Sequence, residues 1–450
     1  MPTTDSHQLP QLDRSFRLEP DIPLCQTDLP LDWYQEEFKP YAQEFLALPD
    51  RTPETVLGYL DQYVIPAREH FGDALLLLAH FYMGGEIVKL IEHYGGGVAD
   101  SYKLALMARE SPEKKVIVES AVHFMAEAIA ILAGDDQQVW ITNPKAGCTM
   151  EMLAKDDAVE PVADQLIDRY GDELTVIAYM NTSGRLKALA GRTGGAVCTS
   201  SNAHLVMQWA LDQGKRILFV PDQHLGRNTA HKLGVGADRV VTLPDPRDGA
   251  IRVDDAEISG GLAALDNAQV ILWGSFCGVH TIFTPEMVDY WKSKGRTVLV
   301  HPESPLETVL AADGSGSTDY LWRAVKEAPK GASFAIGTEG HFVRNARTQG
   351  ALVGVDVVHL AEIPGSVTAG CGCATMSRND PPHLAGMLDL LRKGEAPGIN
   401  RVLAGDNVDE TTMRLDRLNA QERSKLVVEA KRSLERMISI VDQSRTSWSA

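Results

Sequence analysis

Leu75-Leu76-Leu77-Leu78-Ala79-His80-Phe81-Tyr82 is an apolar run that closes on a polar cluster, and an amphipathic stretch follows it as far as Glu92. The same order returns at Leu174 to Leu189, where the cluster is Tyr179-Met180-Asn181-Thr182-Ser183, and at Thr297 to Leu310, where it is His301-Pro302-Glu303-Ser304. A serine-bearing turn comes next each time: Asp100-Ser101, Thr199-Ser200-Ser201-Asn202 and Gly316-Ser317-Thr318. A second apolar run then ends on polar residues, at Lys115 to His123, Arg216 to His224 and Ser333 to His341. Each copy finally delivers a cysteine, in Pro144-Lys145-Ala146-Gly147-Cys148, Gly274-Ser275-Phe276-Cys277 and Gly370-Cys371-Gly372-Cys373. Short apolar strands alternating with amphipathic stretches read as α/β with parallel sheets. In such sheets the loops at the carboxyl ends of the strands share one side. The expectation is three related three-layer α/β/α domains around a pseudo-threefold axis, with three thiols and three polar strand ends brought to one place.

The strands expected are Leu75 to Ala79, Val116 to Val118, Val139 to Thr142, Thr175 to Tyr179, Ile217 to Val220, Val270 to Trp273, Val298 to Val300 and Phe334 to Ile336. They divide the chain into an N-terminal extension (1–60), a first unit (61–148), a second (149–277), a third (278–376) and a helical tail (377–450). The middle unit is the longest, and proline, aspartate and glycine between Gly234 and Leu265 suggest a surface insertion. Trp33, Tyr34 and Phe38 predict a short helix that packs on the main body. Leu426, Val427, Ala430, Leu434, Met437, Ile438 and Val441 recur at helical spacing and predict a docking helix or an oligomer contact.

At 450 residues and 44% hydrophobic content the chain can bury a sizeable core. No apolar stretch is long enough to span a bilayer and the N-terminus lacks a secretory apolar region, so the expected place is the cytoplasm. A net charge of −18 argues against general nucleic-acid or membrane-surface binding, because both partners are polyanions. Acidic small molecules need a local cluster of donors, for which Arg185 and Lys187 are candidates. Six cysteines are too few and too scattered for a disulfide framework. Cys25 and Cys198 read as small buried hydrophobes.

Cys148, Cys277 and Cys373 are too far apart for a zinc finger or a bacterial-type ferredoxin motif. They read either as buried structural cysteines, the more ordinary reading of the residues alone, or as ligands of an iron-sulfur or zinc site, a reading that their matching places in a repeat strengthen. Three thiolates can hold three irons of a [4Fe-4S] cube and leave the fourth iron open as a Lewis acid. Cys371 competes with Cys373 for the third place. His80 and Tyr82, Tyr179 and Asn181, and His301 and Glu303 each lie two apart, on one side of an extended strand end. Three such pairs of mostly titratable type suggest an active site rather than packed strand ends. Ser101, Ser200 and Thr318 open helices, where they would cap. Helix starts also attract anions, so three of them could hold phosphate and carboxylates. Asp222, His224 and His280 are read as supporting groups. The glycine clusters match no nucleotide-binding fingerprint.

Taken in order, Ala79 to Tyr82, Asp100-Ser101, Lys145 to Cys148, Tyr179 to Ser183, Cys198 to Asn202, Pro221 to Arg227, Cys277 to His280, Val300 to Ser304, Gly314 to Thr318 and Cys373-Ala374-Thr375-Met376 resemble the quinolinate synthase family, the A protein of bacterial NAD biosynthesis. The family's third cluster cysteine precedes a methionine by three positions, which selects Cys373. The resemblance implies related α/β domains around a central [4Fe-4S] cluster held by Cys148, Cys277 and Cys373. It implies condensation of iminoaspartate with dihydroxyacetone phosphate to quinolinate, with loss of phosphate and two waters. Iminoaspartate would come from an L-aspartate oxidase or an aspartate dehydrogenase. Tyr82, Tyr179, His301 and Glu303 are then expected to move protons, while His80, Ser101, Asn181, Ser200 and Thr318 hold substrate. The N-terminal extension, the insertion and the tail mark a divergent member. The alternatives are an iron-sulfur paralogue with an altered substrate or a sensor role, and a zinc hydrolase using His80, His280 or His301 with one cysteine.

Overall fold

The computed structural model describes residues 30–447, except 366–371, 374 and 410–411. The described chain is α/β, with helices flanking three largely parallel sheets. The first sheet holds β1 (Leu75–His80), β2 (Gly97–Ala99), β3 (Val116–Ser120) and β4 (Gln138–Ile141) in the order β2-β1-β3-β4. The second holds β5 (Leu174–Tyr179), β6 (Ala196–Cys198), β7 (Arg216–Val220), β8 (Val240–Thr242) and β9 (Val270–Leu272) in the order β6-β5-β7-β9-β8. The third holds β10 (Thr297–Val300), β11 (Gly314–Ser315), β12 (Ser333–Gly337) and β13 (Asp356–His359) in the order β11-β10-β12-β13. The same path is thus traced three times. A short antiparallel strand, β14 (Arg401–Val402), extends the first sheet beside β4.

The order has a functional consequence. The chain leaves the first strand of each sheet toward one edge and then crosses to the other. The carboxyl ends of the first and third strands therefore flank a topological switch point, where α/β sheets bind ligands. The residues at those ends are His80 and Ser120, Tyr179 and Val220, and Val300 and Gly337.

All eight expected strands are present, with ends within two residues of those expected. The short second strands β2, β6 and β11 and the edge strands β8 and β13 escaped sequence reading, because two to four residues carry little periodicity. Parallel strands covered on both faces read as continuous apolar runs, and every residue of β5 is buried. The second sheet's core joins Val176, Leu218, Ile271 and Trp273 to Val159, Val162, Leu166, Leu186 and Leu189 from the helices. The segment expected as a surface insertion instead supplies the edge strand β8 and the buried residues Ile251, Ile258 and Leu265.

The described residues form two compact units, one from 30–146 with 372–402 and the other from 147–365 with 403–447. In the first, helix Pro53–Phe71 runs through position 60, so no break falls there. It starts cleanly, with Thr52 as cap and Pro53 at the first position. Tyr34 and Phe38 are buried in this unit, whereas Trp33 is exposed. Tyr41 donates to Asp389 at 2.7 Å, tying helix Lys39–Leu46 to helix Pro381–Lys393. The expected tail is thereby shared, because helix Ala420–Ser447 belongs to the second unit. That helix lies so close to helix Gly184–Arg192 that a Cβ on Gly191 would come within 1.9 Å of the Glu429 carbonyl oxygen. Only glycine allows that approach.

Candidate active site

In the second unit the polar strand ends meet at Glu303. Its carboxylate is fully buried and accepts the Tyr179 hydroxyl proton at 2.6 Å on Oε1. His280 Nδ1 faces Oε2 at 2.8 Å, and the His280 and His301 rings stack with centroids 4.5 Å apart. Burial alone would raise the Glu303 pKa, but the His301 and His280 charges and the hydrogen bonds from His280 and Tyr179 outweigh it and hold the group down to about 2. Asp222, also fully buried, is pushed well above the usual carboxylate range by burial and then by the Glu303 charge.

Asp222 is the brace of this region. One oxygen accepts from Leu225 N at 2.6 Å, capping helix Gln223–Lys232, and the other accepts from Cys277 N at 3.0 Å. It thus ties the end of β7 to the loop that presents the thiol. His280 Nε2 meets Thr338 Oγ1 at 3.0 Å, just past β12. Asn228 donates to the carbonyls of Pro302 and Ser304, at 2.8 Å each, and fixes the turn carrying Glu303. Cys148 is buried in the same unit, with the Asn181 amide 3.8 Å from its sulfur.

Cys277 Sγ, a His280 nitrogen and a Glu303 oxygen lie within 4.8 Å of one another. Cys148, Cys198, Cys277 and Cys373 are outside any disulfide. Cys198 is fully buried and its thiol is pushed up by burial, which keeps it inert. Cys277 and Cys373 keep partial exposure. Cys277 follows the last strand of the second sheet and is held by its backbone, so that its sulfur can project as a thiophilic metal ligand must. Cys25 and Cys371 lie outside the described residues.

In the first unit, β1 ends at His80, so His80 and Tyr82 are joined by a turn rather than an extended strand end. The turn still brings them together: Tyr82 N donates to His80 Nδ1 at 3.1 Å and the rings meet edge to face at 4.8 Å. Glu303 N approaches His301 Nδ1 at 3.4 Å in the same way. At His80, an accepting Nδ1 puts the proton of a neutral ring on Nε2. Cys373 in this unit has Thr375 Oγ1 at 3.2 Å from its sulfur.

The helix starts differ from expectation by one or two residues. Asp100 and Ser317 are the caps, accepting from Lys103 N and Tyr320 N, and they leave Ser101 and Thr318 in the first helical turn. Ser200 lies in the turn before helix Ala203–Asp212, where Asn202 holds the cap position. Arg185 and Lys187 are engaged elsewhere: Arg185 pairs with Asp156 at 3.6 Å, and the buried Lys187 ammonium donates to the Thr182 carbonyl. Sequence reading underrated His280 and Asp222 and passed over Thr338 and Asn228. A signal was present, since Asp222 and Thr338 directly follow the third strands of their sheets.

No helix among the described residues is long and apolar enough to cross a membrane. The family model for quinolinate synthetase A protein matches residues 66–415. Proteins called quinolinate synthase are similar along most of the chain. That of Corynebacterium glutamicum is 37% identical over 398 residues, covering 88% of this chain and 91% of its own length. That of Acidobacterium capsulatum is 38% identical over 381 residues, covering 83% and 94%. That of Geobacillus kaustophilus is 34% identical over 396 residues, covering 87% and 96%.

Proposed function

The chain belongs to the quinolinate synthetase A family, and from that premise we propose that it is a quinolinate synthase, an enzyme of NAD biosynthesis that condenses iminoaspartate with dihydroxyacetone phosphate. Phosphate and two waters leave in the overall reaction. The observation that carries the assignment of residues is the buried Glu303 carboxylate with Tyr179 and His280 bonded to it and His301 alongside.

Glu303, held near a pKa of about 2, stays anionic at neutral pH. Its part is to orient the Tyr179 hydroxyl and the His280 ring, a fixed charge arranged before substrate arrives. Proton traffic then falls to Tyr82, Tyr179 and His301, each at or just past the end of the first strand of its own sheet. Ser101, Ser200 and Thr318, in or just before first helical turns, suit carboxylate and phosphate oxygens, with backbone N–H groups beside them. Asn181 and His80 add hydrogen-bonding groups of adjustable direction.

Cys148, Cys277 and Cys373 would hold a [4Fe-4S] cluster. Such a group, with one iron lacking a protein ligand, supplies a Lewis acid for removing a hydroxyl group. We place the enzyme in the cytoplasm, fed by an L-aspartate oxidase or an aspartate dehydrogenase, and we propose the three sheets as three related domains.

Iron and acid-labile sulfide per chain, measured after anaerobic purification and reconstitution, test the cluster; about four of each are expected. Quinolinate formed from the two substrates by the same preparation tests the reaction. A fully loaded chain that makes no quinolinate would reject the activity and leave the sensor reading. Cys148→Ala should abolish loading, and a loaded, active variant would remove Cys148 from the ligand set.

A further inference from the structure

We infer that Cys277, His280 and Glu303 form a binding site for one soft divalent cation of the zinc class, open whenever Cys277 is not committed to an iron-sulfur cluster. A thiolate, an imidazole and a carboxylate are zinc's own ligand types, and three protein ligands with one open position is an arrangement zinc adopts. Their donor atoms already lie within 4.8 Å of one another. Bond lengths of about 2.0–2.3 Å in a tetrahedral site put donor atoms roughly 3.3–3.8 Å apart. Binding therefore asks the His280–Glu303 pair, now 2.8 Å apart, to open by about half an ångström or more and the thiol to close by up to about 1.5 Å, which the part-exposed Cys277 side chain can supply.

The surroundings are built for ligation. Metal-bound histidines are held at their second ring nitrogen, and bound carboxylates are themselves hydrogen-bonded. His280 Nδ1 faces the carboxylate while Nε2 meets Thr338 Oγ1 at 3.0 Å. Tyr179 bonds Oε1 of Glu303 at 2.6 Å and His280 faces Oε2, so the two oxygens have separate duties. Asp222 holds the Cys277 backbone at 3.0 Å. All three donors come with an outer shell in place. Sulfur and imidazole nitrogen favour zinc, cobalt or copper over magnesium or calcium. Binding takes the thiolate form of Cys277 and releases the thiol proton to solvent.

One thiolate cannot serve both centres, so zinc in this site and cluster assembly exclude each other. That exclusion rests on the cluster reading; occupancy of the three-residue site does not.

Cobalt(II) added anaerobically to the cluster-free full-length chain reports the site through its thiolate charge-transfer absorption. One cobalt per chain is expected, with the band lost in Cys277→Ser, affinity reduced at least tenfold in His280→Ala, and the band retained in Cys148→Ser. A band that survives C277S, a band lost in C148S, or no cobalt uptake by a wild-type chain folded by circular dichroism would each overturn the site. Equimolar zinc added before reconstitution should lower iron and sulfide uptake in wild type but not in H280A. Undiminished iron uptake with zinc still bound would overturn the exclusion. Absent iron uptake with cobalt binding intact would support the site and count against the cluster instead.

Discussion

At the scale of single residues, the site is a set of obligations imposed by burial. Glu303 can remain charged inside the protein because partners surround it, and removing the charge removes the reason for their orientation. Glu303→Gln should therefore lower kcat about 10²–10³-fold while the far-ultraviolet circular dichroism stays native; an active variant would show that the charge is not needed. Glu119 presents the opposite case. It is fully buried in β3, neither carboxylate oxygen has a hydrogen-bond partner, and burial pushes its pKa up to about 8. The folded chain keeps this proton up to about pH 8, whereas an unfolded chain loses it near its ordinary value of about 4.3. Stability tied to Glu119 is complete below that lower value and declines across the window by about 1.4 kcal/mol per pH unit. Denaturant melts at pH 5.5 and pH 8 should show a larger loss for wild type than for Glu119→Gln; equal losses would mean that Glu119 does not carry the proton. The sequence displayed the titratable types at the strand ends but not which of them touch. Tyr179 and Glu303 are separated by 124 positions, and no local pattern encodes such a pairing.

Among the elements, the long strands were legible because parallel strands buried on both faces are unbroken apolar runs. Helix starts were legible to one or two residues, the error arising where neighbouring residues are all competent caps, as in Asp100-Ser101, Ser317-Thr318 and the run Ser200-Ser201-Asn202. The 234–265 segment was misjudged because its turn-rich composition hides five core residues and an edge strand. The C-terminal helix was legible as amphipathic, and its apolar face is covered within its own unit: Leu426, Ala430, Leu434, Met437 and Val441 are buried there, and Ser433 donates to the Lys187 carbonyl at 2.8 Å. Gly191 sets how near the two helices come. Gly191→Ala should cost about 1–3 kcal/mol through overpacking, read as a lower melting temperature. An unchanged melting temperature would show that the helix can move aside without loss.

The whole molecule carries a net charge of −18, so an anionic substrate must be captured locally rather than drawn by a general field. At physiological salt the chain should pass through immobilised double-stranded DNA without retention; retention would reveal a basic face that the totals conceal. The recurring strand order β2-β1-β3-β4, β6-β5-β7-β9 and β11-β10-β12-β13 has a consequence for how such a chain can change over generations. The second and third sheets rest on separate apolar cores, so a substitution at a strand tip is tried against the packing of its own sheet and against the few tip residues it touches. A histidine and tyrosine, a tyrosine and asparagine, and a histidine and glutamate at corresponding tips look like the outcome of three separate searches conducted on one inherited scaffold.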